Sequence, residues 1–108
     1  MKVENFTNSR GNKVKNQFCI QDNDVIYFQS YNSIIAKKDL RHDRKGKYIT
    51  LDQKYWDYSS TTGRFRNIFL GENIAETRKK IASGEYKLDD LQNEKSTMQD
   101  YEISAYNG

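Results

Sequence analysis

Between Val14 and Gln21 the apolar residues Val14, Phe18 and Ile20 share one parity, with Asn16 as the exception, which is the period-2 pattern of a half-buried strand. Asp22, Asn23 and Asp24 supply a tight link to Val25–Tyr31, VIYFQSY, a run rich in β-branched and aromatic residues, so the two runs predict a β-hairpin. Upstream, residues 2–7, KVENFT, predict a short strand with Val3 and Phe6 toward the core, broken by the polar cluster at residues 8–12. Downstream, Ile34, Ile35 and Ala36 predict a third strand. Residues 37–47, KKDLRHDRKGK, have no apolar periodicity and predict a solvated hairpin loop, after which Tyr48 to Leu51 returns as a strand with Ile49 and Leu51 on one face.

The period changes after Trp56. Ser59 to Thr62 offers side-chain oxygens for a helix N-cap, Phe65, Ile68 and Phe69 form an apolar stripe at i, i+3, i+4, and Gly71 ends the helix. Asn73 with Glu76 three residues on predicts a capping box for a second helix that carries Ile74 and Ile81 and closes at Gly84, with Lys79 and Lys80 in its last turn. The fold class is therefore α+β: an antiparallel four- to five-stranded meander sheet followed by two short helices. Tyr86, Leu88 and Leu91 are candidates to dock back on the body. Residues 1–91 read as a single domain and residues 92–108 as a polar, acidic tail, loosely docked or mobile.

Composition changes this picture in two ways. At 108 residues, with 35% hydrophobic residues, the chain is short of aliphatic side chains; eight Tyr, five Phe and one Trp compensate with large buried areas and predict an aromatic core. The net charge of +3 conceals an asymmetry: residues 1–80 hold sixteen Lys and Arg against nine Asp and Glu, and residues 81–108 hold two against six. A basic body thus carries an acidic tail, which suits either a basic face for an anionic partner or simply solvated surface. A single cysteine gives no intrachain disulfide, and no apolar run reaches signal-peptide or membrane-span length, so the expectation is a cytoplasmic protein with no membrane partner.

Candidate chemistry is sparse. One His and one Cys leave no zinc or iron ligand set, no calcium-loop spacing is present, and no cofactor is expected. Cys19 lies mid-strand and His42 in the charged loop, so they read as a small hydrophobe and a solvated residue rather than a nucleophile and its base. Asp52 and Asp57 flank Tyr55 and Trp56 as a conceivable carboxylate pair, with Asp57 better read as a turn or cap residue. No Gly-rich phosphate loop occurs. The expectation is a protein that is not an enzyme. A binding role is better supported: Tyr27, Phe28, Tyr31 and Tyr48 near Lys37, Lys38, Arg41, Arg44, Lys45 and Lys47 fit the outline of a nucleic-acid platform, though the same aromatics are needed for the core. Tyr55, Trp56 and Tyr58, with Arg64 and Arg66 beside four hydroxyl residues, form the second candidate surface.

NQFCI at residues 16–20, YFQSYNSIIA at 27–36 and LDQKYWDYSSTTGRFRNIFLGE at 51–72 resemble a family of small, uncharacterised bacteriophage and prophage proteins, the most specific part being WDYS followed by TT and FL. The resemblance covers roughly the first ninety residues and carries context rather than mechanism. It implies a small protein acting in the bacterial host cell on a host protein or ribonucleoprotein complex, in the manner of anti-CRISPR inhibitors. The basic body departs from an acidic DNA mimic. Alternatives are a single-stranded or structured nucleic-acid-binding protein of phage replication or transcription, and a minor virion or assembly protein. Either a monomer or a homodimer fits, since an exposed sheet edge can pair with a second copy.

Overall fold

Five consecutive strands, each antiparallel to the one before, form the sheet that the alternation predicts. The computed structural model describes residues 1–41 and 48–97, with side chains through residue 95. Arg44, Lys45 and Lys47 of the charged loop, its His42, and residues 98–108 of the acidic tail lie outside the described residues. The strands are β1 (Lys2–Thr7), β2 (Lys13–Asp22), β3 (Val25–Ser30), β4 (Ser33–Asp39) and β5 (Ile49–Asp52), followed by α1 (Ser60–Leu70) and α2 (Ile74–Ser83). A sixth strand, β6 (Lys87–Asp89), then lies parallel to β5, and a 3-10 helix, Gln92–Thr97, follows it; the sheet order is β1-β2-β3-β4-β5-β6.

Both faces of this sheet are covered, where the alternation suggested one. Phe28, Ile35, Ala36, Ile49 and Leu51 meet Phe65 and Phe69 of α1, together with Tyr86. Val3, Phe18, Ile20, Val25, Tyr27 and Ile34 form the opposite cluster with Leu91. Asn16 explains the irregular parity of β2: its φ of 66° is left-handed, and Val14 before it packs at the helix-side cluster while Phe18 and Ile20 after it face the other way. Irregularities in β1 and β4 serve the same end, since the register shift between Asn5 and Thr7 accompanies Phe6 packing edge-on against Phe28 at 5.4 Å.

Two boundaries differ from expectation. β4 continues through Lys37, Lys38 and Asp39, which pair with β3 and, for the two lysines, with Thr50 and Ile49 of β5. Their cations are not solvated in a loop because distant groups receive them: Lys37 Nζ lies 2.9 Å from Glu94 Oε2, and Lys38 Nζ donates to the carbonyl of Phe69 at 2.6 Å while sitting 4.4 Å from the Phe69 ring centre. The second difference is the segment after α2. Leu91 is 1% exposed, the Gln92 side chain donates to Ile34 O and accepts from Ile34 N, and Glu94 accepts from Tyr27 Oη at 2.7 Å. Docking therefore extends past residue 91.

The helices carry the caps that the sequence calls for. Ser59 Oγ accepts from Thr62 N, and Asn73 and Glu76 form the capping box in full. The buried stripe of α1 is Thr62, Phe65, Arg66 and Phe69, spaced i, i+3, i+4, i+7, and Ile68 is 57% exposed. Arg66, not Ile68, occupies the inward position.

Candidate functional site

The segment joining β5 to α1 is held from both ends by buried charge. Asp52, 1% exposed, accepts the backbone N–H of Lys54 at 3.0 Å and Tyr55 at 2.8 Å through Oδ2, and that of Leu91 at 2.9 Å through Oδ1. Three N–H donors on one carboxylate fix the turn and tie it to the chain beyond β6. At the far end Arg66, also 1% exposed, donates through Nη1 to Trp56 O at 2.9 Å and to Asp57 Oδ1 at 3.3 Å, and through Nη2 to Asn67 Oδ1 at 3.0 Å. Its guanidinium carbon lies 5.4 Å from the centre of the Trp56 ring, and Arg78 reaches Asp57 from α2 at 3.4 Å. Asp52 and Asp57 thus serve separate anchors and do not act as a carboxylate pair.

Between these anchors the chain presents Tyr55 and Tyr58, packed edge to face with ring centres 5.4 Å apart; Tyr55 is half-buried and Tyr58 is 64% exposed. Facing them is the two-residue turn between Ser30 and Ser33. Ser30 Oγ hydrogen-bonds Thr62 Oγ1 at 2.9 Å, which docks the end of β3 under the first turn of α1. The space between turn and loop is an open cleft of about 540 Å³ lined by Ser30, Tyr31, Asn32, Ser33 and Ile35 on one side and Tyr55, Tyr58, Ser59 and Thr61 on the other. None of these nine residues is an acid, a lysine, an arginine or a histidine.

Tyr31 is the unusual residue of the cleft. Its φ is 55°, in the left-handed region, which for a bulky L-residue costs roughly 1–2 kcal/mol. The backbone is gripped on both sides: Tyr31 N donates to Asn16 O at 2.7 Å, and Gln29 Nε2 donates to Tyr31 O at 2.8 Å. Tyr31 is 51% exposed, so little burial offsets the strain. Lys95 Nζ donates to the carbonyl of Asn32, the next residue of the turn, and so links the C-terminal segment to the cleft wall.

The remaining sequence candidates are scattered. Trp56 is half-buried against Arg66 and anchors the loop, whereas Arg64 is exposed on α1 with no partner among the described residues. Lys37 and Lys38 are paired as described above, and Arg41 is bidentate on Asp39 through Nε and Nη2 at 2.9 and 2.8 Å. Tyr27 and Phe28 lie in the two opposite clusters and Tyr48 is half-buried, so of the four aromatics proposed as a platform only Tyr31 is exposed. Burial raises the Cys19 thiol above its ordinary pKa, with Glu4 adding to the effect. Among the described residues no group of three or more His, Cys, Asp and Glu is placed to hold a metal ion, and no helix is long and apolar enough to cross a membrane.

A second polar hub lies on the helix side and supports the fold. Glu72 accepts from Thr77 Oγ1 at 2.6 Å, Lys80 Nζ at 2.7 Å and Tyr86 Oη at 2.8 Å. Burial alone would raise its pKa, but these three hydrogen bonds outweigh it and hold the carboxylate below its usual range. The same contact, added to burial, pushes the Tyr86 phenol up. Neither Glu72 nor Asp52 was singled out as an anchor by sequence reasoning, since their partners lie up to 39 residues away.

A family of unknown function, DUF8033, matches residues 1–85, from β1 through the end of α2. The chain belongs to DUF8033. Every residue lining the cleft falls inside the span matched to DUF8033, whereas β6, Leu91 and the 3-10 helix fall outside it. No curated protein and no solved structure matches the chain.

Proposed function

We propose that this chain is a non-enzymatic, phage-encoded binding protein that inhibits a host defence system by protein–protein contact, with the cleft between the β3–β4 turn and the start of α1 as its contact surface. The observation that carries this reading is the pair Tyr31 and Tyr58, 51% and 64% exposed, standing on opposite walls of a cleft without a charged side chain. Tyrosine dominates the energetics of protein interfaces because it buries a large rigid ring and keeps a polar tip. The lining offers hydroxyls and one amide but no carboxylate, imidazole or thiol to serve as acid, base or activated nucleophile. Phage origin rests on the resemblance of the WDYS segment, which supplies the loop bearing Tyr58. The test is capture of host proteins by tagged protein with and without nuclease, comparing the parent with Tyr58→Ala. A nuclease-resistant partner lost with Tyr58→Ala supports the reading, and capture of nucleic acid alone refutes it.

A second reading is favoured by Arg64, exposed in the second turn of α1 near a helix N-terminus that carries no acid in its first turn. That arrangement suits a phosphate, and a nucleic-acid-binding protein would lose affinity steeply between about 50 and 200 mM salt. Against it, Lys37, Lys38 and Arg41 are already engaged within the chain.

A further inference from the structure

We propose that the cleft is a docking groove for an extended, uncharged, proline-containing segment of a protein partner, an inference that rests on the protein-binding reading above. The first support is a comparison within the molecule. Two hairpins have two-residue links, Asn23–Asp24 between Asp22 and Val25 and Tyr31–Asn32 between Ser30 and Ser33, and in each the first link residue is left-handed, at φ 57° and 55°. Such positions favour Gly or Asn. The first hairpin has Asn23, and the second has a tyrosine that is half exposed. The turn geometry does not need that ring, and the core does not use it; the cleft does.

The second support is the chemistry of the lining. Three tyrosines, Tyr31, Tyr55 and Tyr58, line the cleft together with the neutral hydrogen-bonding side chains of Asn32 and Thr61. The lining holds no carboxylate to pair with a cationic segment and no lysine or arginine to pair with a polynucleotide backbone. A polyproline II segment matches both features, since its prolines present flat apolar faces to aromatic rings and its backbone carbonyls, unpaired within the helix, remain free to accept hydrogen bonds. The volume of about 540 Å³ lies within the roughly 300–1,000 Å³ of ligand-binding clefts.

The test is selection of a displayed library of random twelve-residue peptides on the full chain, with Tyr31→Asn and Tyr58→Ala proteins as counter-targets, followed by amide shift mapping of the best peptide. The expected result is at least tenfold enrichment, over both variants, of proline-containing peptides free of charge. Their shifts should be confined to residues 30–33 and 55–61, and Tyr31→Asn should melt no lower than the parent because Asn tolerates the left-handed turn. Equal enrichment on parent and variants, or enrichment of charged or helical peptides, overturns the proposal. Should the host-protein capture depend on Tyr58 while no such peptide is selected, this inference alone falls. Should an oligothymidylate probe shift the same amides, the protein-binding reading falls with it.

Discussion

Arg64 and Arg66 stand two residues apart in one helix and do opposite things. Residues i and i+2 point about 200° apart around a helix axis, so one of the two must face inward when the stripe runs Thr62, Phe65, Arg66, Phe69. Removing the buried cation leaves Trp56 O and Asn67 Oδ1 without their donor and Asp57 with Arg78 alone, so Arg66→Ala should cost about 3 kcal/mol in chemical denaturation. Arg64→Ala should stay within about 0.5 kcal/mol of the parent. Both arginines read alike in the sequence as surface cations, and Ile68 read as core, because hydropathy does not register that a guanidinium can satisfy a loop carbonyl and a carboxylate at once. Glu72 gives a pH prediction at the same scale. Its folded-state pKa is depressed, so its stabilisation is present above the unfolded-state value and is lost as pH falls through the folded value. Melting temperature should therefore drop on acidification from about pH 5 toward pH 3, with a shallower slope in Glu72→Gln.

Among the elements, the caps and hairpins were legible because their determinants are local. Ser59, Gly71, the Asn73 and Glu76 pair and Gly84 all sit within four residues of the groups they satisfy. The end of β4, strand β6 and the docked 3-10 helix were not, because Lys37 finds Glu94 57 residues later and Ile34 finds Gln92 58 residues later. A polar run such as KKD looks solvated until those partners arrive. The segment beyond the span matched to DUF8033 closes one sheet face through Leu91 and lengthens the sheet through β6. Leu91→Ala should cost about 2–4 kcal/mol, and a chain ending at residue 85 should lose cooperative unfolding by circular dichroism, while Leu88→Ala, at a 40% exposed position, should cost far less.

At the scale of the whole molecule, the cleft exists only because two segments about twenty-five residues apart are brought face to face. The hydrogen bond between Ser30 and Thr62 sets one wall against the other, Asp52 and Arg66 stiffen the loop, and Lys95 ties the turn to the C-terminal segment. The sequence pointed to Tyr55 through Arg66 as the region of interest, and the fold divides that region into anchors, Trp56 and Arg66, and exposed surface, Tyr58. Tyr31 read as the last aromatic of the predicted strand Val25–Tyr31, whereas β3 ends at Ser30 and Tyr31 opens the turn, since neither its left-handed backbone nor its place opposite Tyr58 has a local signature. The central claim is that this cleft meets a protein, and a photo-crosslinking amino acid placed at position 58 in living host cells tests it most directly. Position 68, on α1 and 57% exposed, is the control. A nuclease-resistant protein adduct from position 58, absent from position 68 and reduced by Tyr31→Asn, is the predicted result. Equal adducts from both positions, or an adduct made only to nucleic acid, would contradict it.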